Sequence, residues 1–200
     1  MNRVFYLIVF LIILLSCKEK STPQGGRVVN PYATDSVYGE IRERLSKEPN
    51  NPDLWYHLAD LYDRNGLYAE EVEALKKVIE LKPDMGYAYF KIGTAYNRLS
   101  RYDDAIANFK KAMRYMPDNP VLYNNLALAY SKKGMRDEEI KTLKKAINLR
   151  PNYATARFNL GIAYLKAGNR SAALEQYRRL SEIDQGMAEL LKKEIEGGKR

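Results

Sequence analysis

Side chains that carry chemistry are scarce in this chain: its 200 residues include one cysteine, Cys17, one histidine, His57, and one tryptophan, Trp55. A single cysteine excludes an intramolecular disulfide, a CxxC redox pair and the cysteine-rich zinc sites. A single histidine excludes an HExxH helix, and the two residues offer no Cys/His dyad on a folded surface. His57 lies between Tyr56 and Leu58 in a helical pattern and is read as a partly exposed helix residue rather than a general base. No catalytic residue, metal, cofactor or small-molecule substrate is expected, and the protein is read as a non-enzyme.

Long apolar runs are equally few. The one near the N-terminus spans residues 4 to 15, after a single positive charge at Arg3 and before Ser16 and Cys17. This is a signal peptide in outline. As a helix at about 1.5 Å per residue it would reach only about 18 Å, short of a bilayer core of about 30 Å, so a permanent transmembrane span is not expected. The end of the run, Leu14-Leu15-Ser16-Cys17, resembles the lipobox of bacterial lipoproteins. That resemblance implies removal of residues 1–16, acylation of Cys17 and a lipid-anchored place in the bacterial cell envelope, the choice of membrane left open. Two or more acyl chains hold a protein on a membrane stably where one does not. The other reading is an ordinary secretory signal with its cysteine near the cut.

From Cys17 to residue 34 the chain gathers Pro, Gly and polar residues and reads as a flexible tether. Residues 35–51 read as an N-terminal capping helix: Asp35 or Ser36 caps it, Val37, Ile41 and Leu45 share a face, and Pro49 ends it.

Beyond this point one pattern dominates. The stretch ALKKVIELKP at 74–83 returns as NFKKAMRYMP and TLKKAINLRP, with Pro83, Pro117 and Pro151 each 34 residues apart. Within each copy the apolar residues run at helical spacing (Trp55, Leu58, Ala59, Tyr62), pause near Gly66, and resume (Val72, Leu75, Val78, Ile79), which predicts a helical hairpin. Every first helix holds a small residue, Ala59, Gly93, Ala127 or Gly161, where helices approach closely. Neither helix buries its apolar face alone, so the hairpins must stack. Nine of the sixteen tyrosines fall on repeat slots (62, 68, 89, 96, 102, 123, 130, 164, 177), so the tyrosine excess reads as packing.

The aligned residues Trp55-Leu58-Ala59-Tyr62, Tyr89-Ile92-Gly93-Tyr96-Ala105-Phe109-Pro117, Tyr123-Leu126-Ala127-Tyr130 and Leu160-Gly161-Tyr164-Ala173-Tyr177 resemble the tetratricopeptide repeat, over about residues 52 to 185. The resemblance implies an all-α solenoid of about four repeats, at 52–85, 86–119, 120–153 and 154–185, with capping helices at both ends. Residues 186–200 form the second cap and tail, Met187, Leu190, Leu191 and Ile195 giving it an apolar face. Three departures stand out. Glu71 and Glu139 occupy the slot of Ala105 and Ala173, Arg157 replaces an aromatic, and Gln185 replaces the proline. The first two are expected to loosen helix contact locally.

The resemblance further implies a concave groove, lined by first helices, that takes an extended or helical peptide. Its lining would be Tyr56, Asp60, Tyr87, Phe90, Lys91, Asn97, Asn124, Asn125, Leu128, Phe158, Asn159 and Ile162. Asn125 and Asn159 are equivalent slots, read either as an amide ladder for a peptide backbone or as ordinary polar helix surface. The Lys/Asn pattern of carboxylate-clamp members is not reproduced. The doublets Lys76-Lys77, Lys110-Lys111, Lys144-Lys145 and Arg178-Arg179 recur once per repeat as a basic stripe, either gripping an anionic surface or forming a solvated outer face. The acidic pairs Glu70-Glu71, Asp103-Asp104 and Glu138-Glu139 fall in the first turn of second helices, where they complement the helix dipole. The leading expectation is a lipid-anchored adaptor binding a protein or peptide partner in the envelope. The alternative is a structural subunit of an envelope assembly machine, similar to pilotins or to a lipoprotein of the outer-membrane barrel assembly complex. The net charge of +8 would suit nucleic acid, but an exported protein rarely meets it, and no nucleic-acid partner is expected.

Overall fold

The computed structural model describes residues 31–197, and its ordered elements there are all α-helical. The signal segment 1–16, Cys17 and the tether as far as residue 30 lie outside the described residues. The chain falls into two units, Met1–Ser36 and Val37–Arg200, and every repeat belongs to the second. Ten helices follow among the described residues: α1 Pro31–Lys47, α2 Pro52–Arg64, α3 Tyr68–Leu81, α4 Gly86–Arg98, α5 Tyr102–Tyr115, α6 Pro120–Lys132, α7 Arg136–Leu149, α8 Ala154–Lys166, α9 Arg170–Ser181 and α10 Gln185–Gly197. No helix among the described residues is long and apolar enough to cross a membrane.

Helices α2 to α9 pair as four successive hairpins, each closed by a three-residue turn. Gly66, Gly134 and Gly168 hold that turn at φ of 73° to 74°. In the second repeat the same slot is Ser100, at φ 58°, a left-handed conformation that burdens any residue with a Cβ. Ser100→Gly is therefore expected to stabilise the protein by about 0.5–1 kcal/mol, read as a rise in the urea midpoint. At the other end of the first three hairpins, Lys82, Met116 and Arg150 are pushed off helical geometry at φ −133° to −138°, because each precedes a proline. Asn51 and Asn119 then cap α2 and α6, each side-chain oxygen accepting two backbone N–H bonds ahead of a proline at the first helical position.

The repeat slots form the core. Leu58, Ile92, Leu126 and Leu160 of the first helices are buried, as are Leu75, Phe109 and Leu143 of the second. The small slot has the expected cause: a Cβ on Gly93 would stand 2.7 Å from the Phe109 ring, and one on Gly161 would stand 2.5 Å from Leu191.

The structure corrects four expectations here. Helix α1 begins at Pro31, ahead of Asp35 and Ser36, since a proline at the first helical position has no N–H to waste. In α10 the buried face is Ala188, Leu191 and Ile195, while Leu190 is 53% exposed; one residue's step of about 100° carries Leu190 off that face. Glu71 and Glu139 do not loosen their helices: both are buried, each beside a cation. Nor does Arg157 disturb its repeat. Its Nε donates to the Pro151 carbonyl at 2.9 Å, as Trp55 Nε1 does to Pro49 at 2.8 Å and the Tyr123 hydroxyl does to Pro117 at 2.9 Å. What the slot keeps is a donor six residues beyond the proline, which arginine supplies as well as an aromatic.

Candidate functional site

The first helices α2, α4, α6 and α8 are joined side by side through polar links. Lys91 of α4 donates to Asp60 Oδ1 of α2 at 2.6 Å. Asn97 of α4 donates to the Asn125 carbonyl of α6 at 3.1 Å, and Asn159 of α8 to Asn124 Oδ1 of α6 at 3.0 Å. These links make one face from four helices, and they consume several residues expected to meet a ligand. Asn124 is buried, and the Asn125 amide is held by the Val121 carbonyl of its own helix at 3.0 Å. The Asn97 side-chain oxygen, Oδ1, is buried without a hydrogen-bond partner among the described residues.

Lys91 is the clearest departure from the expected groove lining. Its side chain is only 11% exposed and lies among three carboxylates: Asp60, Asp63 at 3.4 Å and Glu71 at 3.6 Å. Arg98 adds a second cation through Asp63. Burial pushes the Glu71 carboxyl up to about 7, the Asp63 charge adds to that, and Lys91 only partly offsets it. Burial works against the charged form of Lys91, but the hydrogen bond and charge of Asp60, with Glu71 and Asp63, leave its pKa above the ordinary lysine value. Beside the cluster, burial and the Asp60 charge push the Tyr56 hydroxyl up to about 12. The arrangement sets opposite charges against each other; among the described residues no group of three or more His, Cys, Asp or Glu side chains is set to hold a metal ion.

Two parts of the face remain open. Over repeats 1 and 2 runs an aromatic series, with ring centroids 6.4 Å apart for Tyr56–Tyr87 and 5.6 Å for Tyr87–Phe90, backed by the buried Phe109 ring of α5 at 6.0 Å from Phe90. Over repeats 3 and 4 lies a cleft of ≈ 230 Å³ between α6 and α8, which brings the expected Leu128, Phe158, Asn159 and Ile162 together with Ser131, Lys132, Lys166 and a floor of Glu139 and Leu143. Tyr87 and Leu128 are 46% and 44% exposed, large apolar surface on inner helices left uncovered among the described residues. Of the added polar and charged lining residues, Ser131, Lys132 and Lys166 went unnoticed in the sequence, although Lys132 and Lys166 sit in one repeat slot.

Three comparisons bear on this face. Tetratricopeptide repeat models match residues 52–85 and 155–183, and a TPR repeat model matches 93–134 and 137–168, together more than half of the chain. The chain belongs to the tetratricopeptide repeat family. Among solved structures, a crystal structure of MamA aligns at 26% identity and TM-score 0.73, over 78% of this chain and 91% of that one. MamA 41-end from Desulfovibrio magneticus RS-1 aligns at 21% identity and TM-score 0.72, over 76% and 86%. YrrB, described as a TPR protein with an unusual peptide-binding site, aligns in fold at 21% identity and TM-score 0.64, over 80% and 85%. No curated protein sequence matches the chain. As a tetratricopeptide repeat array it is a scaffold for protein–protein interaction, not an enzyme.

In this tetratricopeptide repeat array the basic doublets lie on exposed second-helix surface, and most are locally engaged. Lys76 and Lys77 pair with Glu73 and Glu80 of their own helix at 2.7 and 2.6 Å, and Arg178 and Arg179 share Glu175 at 3.7 and 3.3 Å. Lys111, Lys144 and Lys145 lie over the rings of Tyr89, Tyr164 and Tyr123. Lys110 alone of the eight has no such contact among the described residues. Exposed cations held by carboxylates of their own helix or set over tyrosine rings describe a solvated outer face. Where Arg157 replaces the aromatic, burial and then repulsion from Arg179 lower its pKa.

Proposed function

We propose that this scaffold is a lipid-anchored adaptor of the bacterial envelope that binds an extended peptide segment of a partner protein along its first-helix face. The observation that carries the groove part is the exposure of Tyr87 and Leu128 on inner helices whose other apolar residues are buried or half-buried; uncovered apolar surface of this kind marks interaction sites. The aromatic series and the cleft lie along successive first helices, as suits an extended ligand rather than a compact one. The fold likeness to YrrB, with its peptide-binding site, supports the same reading. The anchor rests on the Leu14-Leu15-Ser16-Cys17 sequence.

A crosslinked pull-down from envelope extract with the full chain, beside Tyr87→Ala/Leu128→Asp, tests the groove. A partner captured by the parent and reduced about tenfold or more by the folded variant is expected, since loss of apolar anchors removes the main binding energy. Equal capture by both would contradict it. For the anchor, cells fed labelled palmitate should label the parent and not Cys17→Ala; an unlabelled parent would contradict lipidation.

A further inference from the structure

We infer that the peptide taken by this face is acidic where it crosses the cleft between α6 and α8, with one large apolar side chain seated between Leu128, Phe158 and Ile162. The inference rests on the groove reading above and adds the chemistry of the ligand. It begins from one repeat slot in the last turn of the first helices, occupied by Arg64, Arg98, Lys132 and Lys166 in repeats 1 to 4. Arg98 is bonded to Asp63 of the preceding repeat. Moved forward by one repeat and then two, the Asp63 slot becomes Asn97 and Ser131, both neutral. Lys132 and Lys166 consequently have no carboxylate partner among the described residues, and both are exposed at the cleft edge. Their place in a last turn also suits the helix dipole, but the dipole does not call for the loss of the acid slot.

The one carboxylate in the cleft, Glu139 on its floor, is bonded to Arg136 and only 5% exposed, so it does not cancel either lysine. The other half of the face is balanced: Asp60, Asp63 and Glu71 stand against Lys91, Arg98 and the exposed Arg64. The first-helix face therefore changes along the array, from opposite charges that offset one another in repeats 1 and 2 to two free ammonium groups in repeats 3 and 4. Charge complementarity of this kind fixes which partner binds and in which direction it lies. A cleft of ≈ 230 Å³ falls below the roughly 300–1,000 Å³ of small-molecule sites and suits a single apolar side chain of a longer ligand.

The test is selection of a random 12-residue peptide library on the full chain held in mild detergent, with Lys132→Glu/Lys166→Glu and Leu128→Asp beside it. The expected peptides carry Asp or Glu next to a large apolar residue. The best of them should bind the charge-reversed variant about three- to tenfold more weakly and lose affinity as salt rises. Lys132→Gln/Lys166→Gln gives an intermediate loss and guards against a folding artefact, which circular dichroism checks directly. Peptides that depend on Leu128 but show no acidic excess, or whose affinity ignores the charge reversal, would overturn the acidic assignment and leave the groove reading intact. No selection that Leu128→Asp abolishes would overturn both.

Discussion

Gly93→Ala is expected to destabilise the protein by about 1–3 kcal/mol, although alanine is the better helix former by up to about 1 kcal/mol. The new Cβ would sit 2.7 Å from Cδ1 and Cε1 of Phe109, a ring that is fully buried and cannot retreat without displacing its neighbours. The remedy is written elsewhere in the chain. Repeats 1 and 3 carry alanine in this slot, Ala59 and Ala127, and there the Phe109 slot holds the narrower Leu75 and Leu143. Phe109→Leu should therefore recover most of the loss when combined with Gly93→Ala. Urea unfolding of the two single variants and the double variant gives the coupling directly. A double variant no more stable than the sum of the singles would show that the two positions do not share one space.

Lys91→Met should cost about 2–4 kcal/mol near neutral pH, because it leaves Asp60, Asp63 and Glu71 with only Arg98 opposing them. The lower part of the usual range for a broken buried pair is appropriate, since Asp60 and Asp63 are about one-third exposed. Glu71→Ala, which installs the residue that repeats 2 and 4 carry as Ala105 and Ala173, should restore much of it.

The same carboxylate gives the parent protein a pH dependence. Glu71 is held at about 7 in the folded state against its ordinary 4.5, so between those values the folded chain binds more protons than the unfolded one. The Glu71 contribution is therefore full below about pH 4.5 and is lost as pH rises through about 7, at up to about 1.4 kcal/mol per pH unit within that window. Glu71→Gln should flatten this part of the stability profile. Lys91→Met should be more destabilising at pH 8 than at pH 5, since Glu71 can protonate at the lower value. A Glu71→Gln profile with the parent's slope between pH 5 and 7 would assign that slope to other groups.

Most of the fold is legible in the sequence because a 34-residue period repeats every signal several times: the prolines, the turn glycines and the small slot each recur, so one ambiguous copy is read from the others. The polar part of the first-helix face is much less so. Tyr87, Leu128, Phe158 and Ile162 could be placed from spacing, whereas Lys91 and Asn124 fall inside. Their inward position depends on how neighbouring first helices rotate against each other, which no single-helix pattern encodes. Glu71 reads as a defect when its slot is compared only with Ala105. It makes sense once Lys91, twenty residues on, is set beside Asn125, its counterpart in the next repeat. The charge of a slot has meaning only with the charge of the slot that faces it.

Site-specific photocrosslinking in living cells tests the central claim most directly. Benzoylphenylalanine placed singly at Tyr87, at Leu128 and, on the outer face, at Lys110 samples all three surfaces in the full chain. One partner band shared by positions 87 and 128, and absent at 110, is the predicted result. A partner crosslinked from 110 with none from 87 or 128 would contradict recognition by the first-helix face and move it to the basic stripe.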